Sequence, residues 1–295
     1  MPYRFDLYTL QLFIAVIEEG SIAAAAQREH IAASALSKRL SELERMLGTD
    51  LFIRRARGVE ATKAAQALAR GARNLLHHAD DLSSELSGYS QGTLGHVRLA
   101  ANLSSIAQFL PRELQAFLTQ YPGVTVDLSE MVSTEVTRSV AENAADIGIY
   151  SQADDQYGLT TFPYHKDRMV LVTPCDHPLA SRKSVAFIDT LAYDHVGMHR
   201  GSAANILLAR EAIAADRPLK LKFQVTSYDA LISMVDAGLG VGIMPVKATD
   251  LYVCSGIRTV PLTDTWASRQ LKLCVRPGEA LSAAAQSLLN HLIQK

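Results

Sequence analysis

The chain has 295 residues, a formal net charge of −1 and 48% hydrophobic residues. That is enough to bury two or three cores, and too balanced in charge to bind nucleic acid through bulk charge. Its three cysteines, Cys175, Cys254 and Cys274, stand far apart without CxxC or zinc-type Cys/His spacing, so no disulfide framework, metal or cofactor is expected and a reducing cytoplasm fits. The opening Met1–Pro2–Tyr3–Arg4–Phe5–Asp6 lacks a signal-peptide core, and no apolar run is long enough to cross a bilayer, so a cytoplasmic location without membrane contact is expected.

Asp6 can cap a first helix, in which Leu7, Leu10, Phe13, Ile14 and Ile17 recur at helical spacing until Gly20 ends the run. Ser21 can cap a short second helix through Ala23–Arg28. After a bend near His30, a third helix is predicted from Ala33 to Leu47, with Gly48 as its stop. At 100° per residue Leu36, Leu40, Leu43 and Leu47 share one face. Ser34, Lys38, Ser41 and Arg45 fall on the opposite face, with Glu42 and Glu44 on the flanks. Leucines on one side and hydroxyls with cations on the other suit a helix lying in the major groove, where short polar side chains reach base edges and cations hold phosphates. Ser34, Ser37 and Ser41 are the candidates nearest the bases, and Lys38 and Arg45 the phosphate contacts. The strand-like run Leu51–Phe52–Ile53, then Arg54, Arg55, Arg57 and Gly58, then Val59–Glu60–Ala61, reads as strand, basic hairpin and strand: a wing whose three arginines can follow a phosphate backbone.

From Thr62 to Ser87 the pattern is one long helix. Leu68, Ala72, Leu75, Ala79, Leu82 and Leu86 alternate by four and three, as a heptad seam does. The segment would be roughly 39 Å long, more than a connection inside a compact domain needs. His77 and His78 point about 100° apart, which suits exposed polar residues better than metal ligands. Gly88, Gly92 and Gly95 mark a boundary.

Strands and helices alternate from Thr93 to Lys295. Strands are expected at His96–Ala101, Val124–Leu128, Asp146–Tyr150, Arg168–Thr173, His195–Met198, Leu219–Val225, Val241–Met244 and Leu271–Arg276. Helices are expected at Ser104–Tyr121, with an adjustment at Pro111, and at Thr134–Glu142, Ser202–Ala215, Tyr228–Ala237 and Glu279–Ile293. Such alternation predicts α/β subdomains with mainly parallel sheets, which bind ligands beyond the carboxyl ends of their strands. Gly238-x-Gly240-x-Gly242 lacks the strand before and the helix after that a nucleotide loop requires. No Ser–His–Asp arrangement with supporting context and no metal cluster appears, so an enzyme is not expected.

The N-terminal residues resemble those of LysR-type transcriptional regulators. Leu10, Phe13, Val16, Glu19–Gly20–Ser21, Ala25–Ala26, Ser34–Ala35–Leu36–Ser37–Lys38–Arg39–Leu40, Leu43–Glu44, Leu47–Gly48, Leu51–Phe52, Arg54, Arg57–Gly58–Val59 and Thr62 match that pattern. Downstream, Pro122–Gly123–Val124, Asp146–Ile147–Gly148–Ile149, His177–Pro178–Leu179–Ala180, and Met234 through Val241 to Met244–Pro245 are similar to the family's effector-binding domain. Two departures stand out. Ala32–Ala33 occupies the place of the family's Ser/Thr–Gln, which removes a cap hydroxyl and a base-reading amide, and Ala65 replaces a frequent Gly.

The resemblance implies an N-terminal all-α winged helix-turn-helix (1–61), a long linker helix (62–91), and a C-terminal α/β two-lobed effector domain (92–295) resembling periplasmic solute-binding proteins. The lobes would be 92–164 with 267–295, and 165–266. The linker helix could pack on its own C-terminal domain; the resemblance implies instead that it pairs with a second subunit through Leu68, Leu75, Leu82 and Leu86, giving a homodimer that assembles further to a homotetramer. It also implies promoter DNA as partner and an effector between the lobes. Candidate effector residues are Asn102, Ser104 and Ser105 after the first strand, Ser133 at the next junction, Met198, His199 and Ser202 in the second lobe, and Thr226 with Ser227 after a further strand. Hydroxyls and free N–H groups at strand-to-helix junctions without acidic side chains suit an organic anion, a carboxylate foremost. The alternative reading is a cytoplasmic solute sensor whose N-terminal helices only dimerise and bind no DNA.

Overall fold

The computed structural model describes residues 5–55, 58–91, 95–151, 157–252, 256–278 and 281–294. They form two compact units, Met1–Gly95 with Glu142–Ala144, and His96–Ala141 with Ala145–Lys295.

In the first unit α1 spans Leu7–Glu19, α2 Ile22–Arg28 and α3 Ala33–Leu47. The expected caps are in place. The Asp6 carboxylate accepts from the Thr9 N–H at 3.1 Å, and the Ser21 hydroxyl from the Ala24 N–H at 3.3 Å. Gly20 and Gly48 close α1 and α3 in the left-handed conformation, while His30 makes the bend with a φ of 54°. Ala32 gives α3 no side-chain cap. Leu36, Leu40 and Leu43 join Leu10, Leu12, Phe13 and Val16 in one core, with Leu47 partly buried beside it. Each fully buried side chain of this size contributes about 1.5–3 kcal/mol.

Strands β1 (Phe52–Arg55) and β2 (Gly58–Ala61) form the antiparallel wing, pairing Arg55 with Gly58 and Phe52 with Ala61. Arg54 and Arg55 therefore lie on the strand itself, whereas the sequence placed them in the turn; cross-strand pairing carries the ladder beyond the apolar run. Arg57 lies outside the described residues. Gly58 has a φ of 126°, and a Cβ there would lie 2.4 Å from the Gly20 carbonyl oxygen, which accepts from the Val59 N–H at 2.9 Å. Gly58→Ala should accordingly cost about 1–3 kcal/mol, read as a lower urea midpoint of the full chain. Gly71→Ala, where the added Cβ meets nothing within 4 Å, should leave that midpoint level or raise it.

Helix α4 (Lys63–Gln91) is capped by Thr62, whose hydroxyl accepts from the Ala65 N–H at 3.1 Å and donates to the Asp50 carbonyl at 2.9 Å. Ala65, Ala69 and Ala72 are buried in the first unit's core, and Leu68 and Leu76 pack against it. The small side chain of Ala65 at the helix start is thus a packing choice.

In the second unit, β3 (Gly95–Ala101), α5 (Leu103–Gln108), α6 (Leu110–Gln120), β4 (Val124–Glu130), α7 (Ser133–Ala141) and β5 (Ile147–Tyr150) build the first lobe. The helical stretch expected around Pro111 breaks at Phe109, and Pro111 takes a place in the first turn of α6, where it loses no hydrogen bond. Strand β6 runs through Thr160–Pro174. Then come α8 (Phe187–Thr190), β7 (His195–Met198), α9 (Ala203–Ala214), β8 (Leu221–Val225), α10 (Tyr228–Asp236), β9 (Val241–Pro245), α11 (Val246–Thr249) and β10 (Ile257–Pro261). Strand β11 (Ser268–Val275) and α12 (Ala283–Ile293) close the chain.

The strand order is β4-β3-β5-β11-β6-β9-β7-β8, with β10 also paired to β6. The sheet is mixed, which corrects the mainly parallel expectation. Parallel pairs β3–β5, β7–β8 and β7–β9 occur within the lobes. The pairs formed by β6 and β11 with their neighbours are antiparallel, because the chain that leaves the first lobe on β6 must come back on β11. Strand β6 starts at Thr160 rather than Arg168. Its first half, with Pro163, Lys166 and Asp167, lacks an apolar pattern and is held by pairing with β11, whose register shifts between Gln270 and Lys272. One core, including Leu99, Leu110, Phe117, Ile147, Leu273 and Leu288, fills the first lobe. Two others, around Leu171, Phe187 and Ile243, and around Val196, Leu231 and Met244, fill the second.

Candidate functional site

Ser34, Lys38, Ser41 and Arg45 are exposed along one side of α3, and Ser37 is half-buried beside them. Ser37 and Ser41 line a small recess together with Arg54 of β1, so helix and wing present hydroxyls and a cation side by side. The Arg55 guanidinium donates to Glu60 across the wing at 2.8 and 2.9 Å. Both groups are more than half exposed, where water screens such a pair and leaves the arginine available to a stronger anion. The sequence placed Glu44 on a flank; in the structure its carboxylate accepts from the N–H groups of Leu51 at 2.8 Å and Phe52 at 3.2 Å. That clamp fixes the wing to α3 and engages the Glu44 carboxylate. Arg39 donates to Asp6 at 3.1 Å and to Thr9 at 2.9 Å, tying α3 to α1.

The seam residues separate along α4. Leu68 packs on the first unit's own core, whereas Leu75 is 46% and Leu82 57% exposed. The side chain of Leu86 lies outside the described residues.

In the second unit, Asn102, Ser104, Ser133, Met198, His199 and Ser202 line one cleft of about 220 Å³, reached by both lobes. Ser202 caps α9, its hydroxyl accepting from the Asn205 N–H at 3.2 Å. Asn102 caps α5, accepting from the Ser105 N–H at 3.0 Å, and its amide donates to the Ser133 hydroxyl at 3.3 Å. The Nδ1 of His199 lies 2.8 Å from the carbonyl of Arg200. Three expected residues stand apart from this lining. Ser105 is fully buried and its hydroxyl donates back to Asn102 at 2.6 and 2.9 Å. Thr226 is exposed outside the cleft. The Ser227 hydroxyl serves Asp229, whose carboxyl it holds below the usual carboxylate range.

Five lining residues with polar side chains were not singled out from the sequence: Glu130, Glu135, Ser151, Tyr228 and Arg269. Arg269 is the buried cation of the floor, with a side chain 9% exposed. Its Nε donates to Asp167 at 2.9 Å, its Nη2 to the second Asp167 oxygen and, at 3.4 Å, to the Ser104 hydroxyl. Gln108 donates to the same Asp167 at 3.1 Å. The Tyr228 hydroxyl lies 3.0 Å from the Ser104 hydroxyl. Burial pushes that phenol up; Arg269 and the Ser104 hydrogen bond pull it down, and Asp167 and Glu130 push it up again. The expectation that the junctions carry no acidic side chains is therefore corrected. Glu130 ends β4 and Glu135 opens α7, and both face the cleft. The floor pair spans 102 residues of sequence, and no local pattern announces it.

Cys274 is buried, which pushes its thiol up to about 12. Among the described residues no cluster of His, Cys, Asp and Glu could hold a metal ion, and no helix is long and apolar enough to cross a membrane.

Residues 7–66 match the family model of the bacterial regulatory helix-turn-helix protein, lysR family, and residues 90–295 match the LysR substrate binding domain. The chain is 29% identical over 292 residues to the uncharacterized HTH-type transcriptional regulator YbhD of Escherichia coli (strain K12), covering 98% of this chain and 92% of that one. Its fold is similar to that of full-length CbnR complexed with its target DNA, with a TM-score of 0.69 at 22% identity, covering 98% of this chain and 99% of CbnR. The effector-binding domain of QuiR in complex with shikimate is also similar, with a TM-score of 0.61 at 18% identity over 68% of this chain and 96% of that one. Nothing in these similarities favours a sensor without DNA binding. With one family model covering the helix-turn-helix and another the two-lobed unit, the chain belongs to the LysR family of DNA-binding, small-molecule-responsive transcriptional regulators.

Proposed function

We propose that this regulator works in the cytoplasm as a dimer that assembles further to a tetramer, and that a small organic anion bound between the lobes controls it. The observation that carries this reading is the convergence of Ser104, Ser133, Ser202 and Arg269, from both lobes and from the crossing strand β11, on one cleft. Hydroxyls and the free N–H groups at the start of α9 are donors waiting for an anion, as expected for a ligand of the shikimate kind that the QuiR domain holds. Binding draws the lobes together and changes the angle at which the linker helices present the DNA-binding units, a hinge-type switch.

On the DNA side, Lys38, Arg45, Arg54, Arg55 and Arg57 hold phosphates, and Ser34, Ser37 and Ser41 stand nearest the bases. Lys38→Ala and Arg54→Ala should each weaken binding to all sequences and lower the salt slope of binding by about one. Ser41→Ala should change discrimination between promoter variants at an unaltered slope. These slopes, measured by fluorescence anisotropy on promoter DNA from 50 to 200 mM salt as in ordinary practice, test the assignment; a wild-type slope in Arg54→Ala removes the wing from it. For the cleft, a thermal-shift screen of carboxylates, sulfonates, amines and neutral aromatics should find hits among anions, weakened in Ser104→Ala and Ser202→Ala. Hits confined to amines or neutral compounds contradict the reading.

A further inference from the structure

The charges of the cleft do not balance for a simple anion. Arg269 is its buried cation, but Asp167, with a side chain 0% exposed, already offsets it. Glu130 and Glu135 add two carboxylates to the lining, and among the described residues neither forms a salt bridge or a side-chain hydrogen bond. Favourable interaction with a helix N-terminus accounts for Glu135 in the first turn of α7. It does not account for Glu130, which ends a strand and lines the same cleft as Tyr228. Two unpaired acids beside a set of hydroxyl donors form two poles of opposite preference.

We propose that the effector is amphoteric: a small molecule whose acid group is received by Ser104, Ser202 and Arg269, and whose ammonium group, a few bonds away, is received by Glu130 and Glu135. This rests on the anion-binding reading of the same cleft and adds the second pole to it. A cleft of about 220 Å³ has room for a molecule of amino-acid size. An ammonium donates three hydrogen bonds to surrounding carboxylates, and such charge-assisted bonds are roughly twice as strong as neutral ones. A hydroxyl at the same position donates one, uncharged.

The test uses the full chain and three matched sets of probes. The first is the common 2-amino acids with β-alanine and 4-aminobutyrate, the second the hydroxy acids of the same skeletons, and the third the corresponding amines without the acid group. Binding is followed by thermal shift and quantified by calorimetry. An amino acid should bind at least about tenfold more tightly than its hydroxy acid, a difference of about 1.4 kcal/mol, and its amine should not bind measurably. In Glu130→Gln/Glu135→Gln, two exposed substitutions that leave the core intact, the tenfold preference should disappear while hydroxy-acid binding persists. Ser104→Ala should weaken both acid classes together. Equal binding of amino and hydroxy acids, or a preference unchanged in the Gln variant, overturns the inference and leaves the anion reading standing. Binding of amines alone overturns the anion reading as well, and so does silence from all three sets.

Discussion

Replacing Asp167 by Ala is expected to destabilise the second unit by about 3–5 kcal/mol, the range for removing one partner of a buried ion pair. The side chain is 0% exposed and lies against an Arg269 side chain 9% exposed. The substitution leaves a buried guanidinium uncompensated and takes from Gln108 one of the two acceptors of its amide, the other being the Ser104 carbonyl, beside a Gln108 carbonyl oxygen that already has no hydrogen-bond partner. Asp167→Asn keeps part of the hydrogen bonding and should cost less. Asp167→Leu/Arg269→Met removes both charges and should recover most of the loss. Urea denaturation followed by the fluorescence of Trp266, the single tryptophan, suits the measurement because its ring packs edge-on against Phe187 at 5.4 Å within this unit. A loss below about 1 kcal/mol for Asp167→Ala would mean that the pair is hydrated rather than buried.

The second large effect is expected in solution mass. Leu75 is 46% and Leu82 57% exposed on the single chain, so a charge at either place leaves the first unit's own core untouched. In the proposed dimer, Leu75→Glu buries two carboxylates in an apolar seam at a cost of several kcal/mol. Light scattering at micromolar concentration should show the variant at a lower mass than wild type with its urea transition preserved. Its affinity for a two-half-site promoter should fall far more than for a single half-site. A variant that keeps the wild-type mass places the subunit contact elsewhere. Leu68→Glu is the contrasting case, because Leu68 packs on the first unit's own core and should lose stability as well as mass.

The N-terminal unit was legible almost residue by residue, since its signals are local. Asp6, Ser21, Gly20 and Gly48 act within a turn of their own positions, and the leucine spacing of α3 is its buried face. The wing was legible in order but not in attachment: the clamp of Glu44 on Leu51 and Phe52, and the close approach of Gly58 to Gly20, depend on neighbours that sequence spacing does not reveal. In the second unit each strand-to-helix junction could be located, which found Asn102, Ser104, Ser133, Met198, His199 and Ser202. Which way a junction side chain turns could not. Ser105 points under its helix, Ser227 turns to Asp229, and Glu130 and Glu135 turn inward. Arg269 stayed invisible because its meaning comes from Asp167, which pairing of β6 with β11 sets directly opposite it.

That register also locates a fulcrum. Asp167 and Arg269 are tied side chain to side chain on the two strands that connect the lobes, so in the proposed closure of the lobes the displacement at this point is the least. Contacts at the floor, with Arg269 and Ser104, therefore change little as the lobes swing, whereas those farther out change much. A compound that engages the floor alone binds both postures about equally, and equal affinity shifts no equilibrium however tight the binding. Such a compound would occupy the site and silence the regulator's response, so effector and antagonist would differ in their reach from the fulcrum more than in the group that anchors them.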